Sequence, residues 1–524
     1  MKKCLLYMLC FFCIIALPGC SQSQVKTRST LAEPDYWPTE GWKYATPESQ
    51  GMDSELLAEA IDYIIAGDMD IHSLLIIRNG YIVTEAYFAP YTRDSLHDVA
   101  SITKSISSTL IGIAIDQGII GGVDSTVGDY IPTVSPDLAG STVEDLLTMR
   151  TGLNLYQANM QLFEMLSSPD WQAYIASLGV NSSSTGSVFD YNSFGPYLCS
   201  SMLNSALQTD SLTFADHYLF APLGIKEYVF SCDPQNGALL GFGELRIHPH
   251  DLAKIGYLFL NGGRWDGEQI VSSQWVNEAT AQKVMIWQDM RPGIIGYGYS
   301  WWIDGQGSYS GRGSDNQRLE VFPKYNLIVL TNSGCGKGLP CIYPFMNKLN
   351  SGFILRSIES DSAIKENEQA YHKLQKKCTQ VEVYEPEEGF GDPVEEKLDD
   401  RFYDQVYLMQ DNMLGIRTIK LVENDQNNII VEVSLNTFQV PDSMIIGLST
   451  DGQWQYSKGR YGLPLIARLD NMGSSKMIID VNELGNINVW KITIHFEDSS
   501  VSMALIDKLG EGKDMVISGV QRER

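Results

Sequence analysis

After Lys104 the chain runs SISSTLIGIAI to Asp116 without a single charge. Ile106, Leu110 and Ile113 fall at helical spacing, and Ile111 and Ile115 cover a second face. A helix that is apolar on most sides must be central and buried, so the fold has to close around this one. Lys104 stands at its mouth and would be buried with it. Desolvating an ammonium costs several kcal/mol unless it is paired or gives up its proton. Ser101 lies three residues earlier, on the same face and one turn nearer the N-terminus, within reach of the lysine. A lysine of depressed pKa beside a serine hydroxyl at a helix N-terminus is the arrangement that makes a nucleophile. The backbone N–H groups of the same helix start suit a developing oxyanion. The spacing alone carries little, because Ser23 with Lys26 and Ser362 with Lys365 repeat it. Neither of those pairs precedes a buried helix.

The 524 residues, 44% of them hydrophobic, suffice for one large core and a smaller second domain. A formal charge of −26 argues against any nucleic-acid partner, since a phosphate backbone requires a basic face. The first residues, MKKCLLYMLCFFCIIALPGC, join a short basic start to an apolar run too short to span a bilayer comfortably. Leu17-Pro18-Gly19-Cys20 resembles the lipobox of bacterial lipoproteins, in which the cysteine is acylated. Residues 1–19 are therefore expected to be a signal peptide and residues 20–36 a polar tether. The implied location is exported and lipid-anchored at Cys20 to the bacterial cell envelope, on the cell or outer membrane, with the lipid as membrane partner. Beyond the leader, five cysteines remain, Cys199, Cys232, Cys335, Cys341 and Cys378, an odd number without a C-x-x-C pair. Cys335 and Cys341 are close enough in sequence to bond, which spacing alone does not show.

Residues 37–360 mix apolar strand-like runs with helical patterns and Gly-rich turns, and Asn79-Gly80 between two apolar stretches predicts a hairpin. Residues 361–400 are dense in charge and read as a linker with some solvated helix. Over 401–524, short runs such as IRTIKLVE, KMIIDV and VWKITIHF recur with turn residues between them, which predicts an all-β barrel or sandwich.

The stretch SITK at 101–104, preceded by DVA and followed by the apolar helix, resembles the S-x-x-K motif of serine β-lactamases and penicillin-binding proteins. Four further segments are similar to the class C β-lactamase-like serine hydrolases: TVEDLLTMRTGL at 142–153, GFGELRIHPHDLAKIGYLFLNGGRWDGEQIVSSQWV at 241–276, GYGYSWWI at 296–303 and LEVFPKYNLIVLTNSG at 319–334. That group includes D-amino-acid peptidases, esterases and 6-aminohexanoate-dimer hydrolases, and the likeness covers about residues 37–355 in order. It implies an α/β (α+β) fold, an antiparallel sheet flanked by helices, and acyl transfer through Ser101 on an amide or ester of a small molecule or peptide. Neither a metal nor an organic cofactor is implied.

The family's second element, Y-x-N or Y-x-S, is met by Tyr191-Asn192-Ser193, the only one of the 26 tyrosines so followed. Tyr191 would shuttle the serine proton with its pKa lowered by Lys104, and either of the two can be the proximate base. Ser193 would line the substrate site. The third element, usually Lys-Thr-Gly or a His/Asn-Gly-Gly variant, corresponds to Gly311-Arg312-Gly313-Ser314-Asp315-Asn316-Gln317. From this strand edge Gly313 and Ser314 are expected to complete the oxyanion site, and Arg312 to hold a substrate carboxylate through its planar fork. His248-Pro249-His250-Asp251 suggests a metal less than it suggests a helix start with Pro249 in the first turn. The competing reading is a penicillin-binding or cell-wall-associated module that is acylated without turnover.

Overall fold

The structure is a computed structural model. It describes residues 33–522 apart from 68, 208, 287–292, 306, 335–338, 384–395, 413, 426–427, 438–439, 487–488 and 508–514. The leader, Cys20 and the tether to residue 32, as well as Cys335, lie outside the described residues.

The first body is built on a nine-stranded sheet among the described residues. Its order is Lys43–Tyr44, Tyr81–Tyr87, Ile71–Arg78, Leu327–Ser333, Arg318–Phe322, Tyr309–Arg312, Trp302–Asp304, Ile294–Tyr297 and Val284–Met285. The expected Asn-Gly hairpin joins Ile71–Arg78 to Tyr81–Tyr87, with Asn79 at φ 52° and Gly80 at φ 84°, the left-handed pair that a tight hairpin turn demands. Most of the sheet is antiparallel, as expected, but Lys43–Tyr44 pairs parallel to Tyr81–Tyr87, so the sheet is mixed. This short edge strand arrives from outside the hairpin and is free to run either way.

Helices cover both faces. On one, Gly311 lies against Ile102 and Ser105 of the helix Ile102–Asp116, and Gly256 of the helix Pro249–Leu260 lies against Leu319, Val321 and Ile328. The uncharged run behaves as its composition requires, since every residue from Ile102 to Ala114 is buried. On the other face Leu74, Ile76 and Val329 pack with Leu57, Ile61 and Ile64 of the helix Ser54–Ala66 and with Met346 and Leu349.

The stretch expected as a linker contributes more than solvated helix. Glu368–Val381 forms a helix that buries Leu374 and Cys378 in the same core. Its charged side is tied down by Lys373 on Glu55 and Lys377 on Asp62. The charge density marked one face of an amphipathic helix, and two apolar residues a turn apart sufficed to dock the other.

Among the described residues the C-terminal strands form a ten-stranded antiparallel sheet from Val440–Ser449 at one edge to Gln455–Lys458 at the other. The edges approach, with the Gly447 N–H donating to Ser457 Oγ at 2.9 Å, so the sheet is a near-barrel. Strict alternation fills it: along Val489–Glu497, Trp490, Ile492, Ile494 and Phe496 point inward beside Phe402, Tyr407 and Met477. The barrel rests on the first body through Tyr91, Ile466 and Leu484.

Candidate active site

The short strand His97–Asp98 pairs with Leu245–Ile247, His97 opposite Ile247 and Asp98 opposite Arg246. The chain must then turn sharply to enter the buried helix. It does so at Ala100, which is held at φ 45°, a left-handed conformation that costs an L-residue on the order of 1–2 kcal/mol. Asp98 opposes that cost, its Oδ1 accepting the Ala100 N–H at 2.7 Å. Ser101 follows at the helix N-cap position, and the N–H groups of Ile102, Thr103 and Lys104 turn back to the carbonyls of Val99, Ala100 and Ser101.

Lys104 is 2% exposed. Its Nζ donates to Ser101 Oγ at 2.8 Å and to the Phe242 carbonyl at 2.8 Å. Burial lowers its pKa to about 7, so near neutral pH a substantial share of the side chain is a free amine. The same Nζ stands 5.2 Å from the centre of the Tyr191 ring. Tyr191 packs with Phe189 against a cluster of Met149, Ile294, Tyr297 and Trp302. The structure thus brings Ser101, Lys104 and Tyr191 together. Asn192, between Tyr191 and Ser193, is the residue that fixes this loop: its Oδ1 accepts the N–H groups of Phe194 and Gly195 at 3.0 and 2.9 Å, closing the start of the helix Phe194–Ala206. Ser193 takes the N-cap position without a capping bond of its own.

The third element also arrives beside Ser101. A Cβ on Gly311 would meet Ile102 at 2.9 Å, and one on Gly313 would meet the Val99 carbonyl at 2.6 Å and Ala100 at 2.9 Å. Glycine is therefore required at both positions to let this strand end lie against the serine turn. Gln317, fully buried and given no role by the sequence pattern, locks the loop: its carbonyl accepts the Gly313 N–H at 2.9 Å and its Oε1 accepts from Asn332 and from the Ser333 N–H. With its own N–H thus engaged, Gly313 does not supply the expected oxyanion donor. Ser314 is exposed at the start of a single turn, Ser314–Asn316, in which Asp315 and Asn316 have positive φ. Burial raises the Asp315 carboxyl to about 6, with Asp507 and Asp98 adding to the shift.

Arg312 departs from expectation. Strand side chains alternate, and because Gly311 faces the serine helix, Arg312 faces the opposite side of the sheet. There its Nε donates to Ser310 at 2.9 Å, its Nη2 lies 3.5 Å from Glu320, and the guanidinium covers the Tyr343 ring. It is a half-buried structural cation on the face of the sheet away from Ser101. Glu320 retains Arg318 at 3.3 Å and Asn350 at 2.7 Å without it. Arg312→Ala should therefore cost about 1–3 kcal/mol of stability in chemical denaturation. The ratio of KM values for carboxylate-bearing and neutral esters should stay within about twofold, and a selective tenfold rise for the anion would return Arg312 to the site.

The histidine pair finds other partners. His248 Nε2 lies 3.3 Å from Glu227, His250 Nε2 lies 2.6 Å from Glu85, and Pro249 opens its helix as the sequence indicates.

The beta-lactamase family model matches residues 61–335, more than half of the chain. The chain is 22% identical over 281 residues to the 6-aminohexanoate-dimer hydrolase of Paenarthrobacter ureafaciens, a match spanning 49% of this chain and 71% of the relative. Its fold is similar to that of the D-amino acid amidase from Ochrobactrum anthropi SV3, at 18% identity and a TM-score of 0.46, covering 58% of this chain and 98% of that one. A family VIII carboxylesterase gives 14% identity and a TM-score of 0.44, covering 65% and 98%. The matched span runs from the helix Ser54–Ala66 to just past the strand Leu327–Ser333 and contains Ser101, Lys104, Tyr191 and the 311–317 loop, and the chain belongs to the beta-lactamase family as one of its hydrolases.

Proposed function

We propose that the protein hydrolyses an amide or ester bond through an acyl-enzyme on Ser101. The observation that carries this reading is the 2.8 Å contact between Ser101 Oγ and the buried amine of Lys104, with its pKa near 7. In its neutral form Lys104, directly or by way of the Tyr191 hydroxyl, takes the Ser101 proton as Oγ bonds to the carbonyl carbon. The carbonyl electron pair moves onto oxygen, where the Ser101 N–H at the helix start and the Ser314 N–H across the cleft stabilise it. Collapse expels the amine or alcohol, which leaves with the proton that Lys104 received. Water then repeats the sequence, releasing the acid and restoring the Ser101 hydroxyl.

A hydrolytic reaction fits the beta-lactamase family model and the relative named as a 6-aminohexanoate-dimer hydrolase. The test is intact-mass spectrometry together with turnover over p-nitrophenyl esters, linear amides, D-aminoacyl amides and cephalosporins. At least one substrate should show a burst of product followed by steady release. An adduct that persists with no turnover across the panel would instead make the protein an acylated binding module.

A further inference from the structure

The barrel reaches the active site by a route that the acyl-transfer chemistry does not require. Its strand Lys476–Glu483 ends in a turn whose Gly485 carbonyl accepts the Asp98 N–H at 3.1 Å. The next residue, Asn486, is 3% exposed, and its Oδ1 accepts two bonds from Arg246, at 2.8 Å from Nε and 2.6 Å from Nη2. Arg246 is itself buried, lies 3.4 Å from Asp98 Oδ2 and donates to Glu244 at 3.0 Å. Its guanidinium stacks 4.3 Å above the ring of the barrel residue Tyr461. Asn486 is in turn fixed by donating to Glu483 Oε2 at 2.8 Å, and Glu483 is held by Arg460 at 2.7 and 3.1 Å.

Two parts of the site converge on this cluster. Asp98 is the group that holds the left-handed Ala100 in front of Ser101. Glu244 and Arg246 continue the segment whose Phe242 carbonyl receives Lys104 Nζ. Arg246 therefore connects the turn that presents the nucleophile with the segment that fixes its proton acceptor, and Asn486 of the barrel occupies the inner edge of its planar fork. Arginine suits that position because several donors leave one plane at fixed angles, so an acceptor on one edge sets the direction of the others.

We infer that the Glu483–Asn486 turn of the barrel is a positioning element of the hydrolase site. Through Arg246 it sets Asp98, the Ala100 turn and the Phe242 carbonyl, and so the register of Ser101 against Lys104. The barrel is on this account part of the catalytic unit, although none of its residues touches the reacting atoms. The inference rests on Ser101 being the nucleophile.

The experiment uses the full chain and measures fluorophosphonate inactivation, separating the maximal rate from the half-saturating concentration. Asn486→Ala should lower the maximal rate at least about tenfold with half-saturation within twofold, because a displaced nucleophile loses geometry and not affinity. Asn486→Asp keeps the acceptor for Arg246 and loses the donor to Glu483; with Arg246 and Arg460 offsetting the two adjacent carboxylates, it should recover most of that rate. Tyr91→Phe removes a different contact between the two bodies, the 3.3 Å bond to Asn482, and should leave the rate unchanged. A parental rate in Asn486→Ala overturns the inference, as does a loss in Asn486→Asp or Tyr91→Phe equal to that in Asn486→Ala. Failure of the nucleophile reading is distinct from both, because the parent protein itself would then carry no adduct on Ser101.

Discussion

Ser101→Ala abolishes the fluorophosphonate adduct and lowers turnover of any accepted ester or amide by at least about a thousandfold, while the melting temperature stays within a few degrees of the parent. Both halves of this expectation follow from geometry. Oγ is the atom that would carry the acyl group, and it is the side-chain oxygen bonded by the Lys104 amine, at 2.8 Å. Structurally the hydroxyl contributes little: Ser101 occupies the N-cap position without a side-chain capping bond, so the usual cost of replacing a capping serine does not arise. Lys104 keeps the Phe242 carbonyl as its second acceptor. The control is Ser108→Ala on the same helix, whose buried hydroxyl has no hydrogen-bond partner among the described residues and should be dispensable for labelling. Retained labelling in Ser101→Ala would move the nucleophile to another residue.

Those parts of the fold that follow from local periodicity can be read directly from the residues. The helix after Lys104 announces itself because a run without charge has only one stable environment, and the barrel strands because a side-chain period of two survives in their sequence. The face presented by Arg312 escapes such reading. It depends on the register of one strand, and a shift of one position exchanges the faces. Its neighbour Gly311 held the information, since a glycine required by close approach to a helix assigns the adjacent side chain to the opposite side. The support around Ser101 is harder still. Arg246 and Asn486 are 240 positions apart in sequence, and a lone Asp, Arg or Asn has no pattern by which to be singled out. Buried polar partners of this kind are set by topology, which only the folded chain reveals. Asn192 and Gln317 belong to the same class: each satisfies backbone groups of a functional loop from a position that any loop sequence could contain.

Lys104→Met should destroy activity and stabilise the protein. In the proposed mechanism the free amine receives the Ser101 proton, and loss of a positioned base typically costs a factor of 10² to 10⁴ in rate. The stability change has the opposite sign. Burial lowers the Lys104 pKa from 10.5 to about 7, so between these values the unfolded chain binds a proton that the folded chain lacks. Parental stability therefore rises with pH from about 7 to about 10.5, and below pH 7 folding bears the full cost of desolvating the ammonium, roughly 5 kcal/mol. Methionine fills a similar volume and removes that cost. It leaves the Phe242 carbonyl without the Lys104 donor, a loss of about 1–3 kcal/mol, so the net gain at pH 6 is about 2–4 kcal/mol and the pH dependence of stability above 7 flattens. On the proposed mechanism the same ionisation sets the parent's rate. Inactivation by a fluorophosphonate should rise about tenfold per pH unit up to a half-maximum near 7 and then level off, following the free amine. Denaturant unfolding of both proteins at pH 6 and pH 9, with the pH profile of inactivation, measures all of this. A Lys104→Met protein that is less stable than the parent at pH 6, or an inactivation rate that is flat between pH 5 and 8, would mean that Lys104 stays charged in the folded protein and acts only as an electrostatic partner of Tyr191.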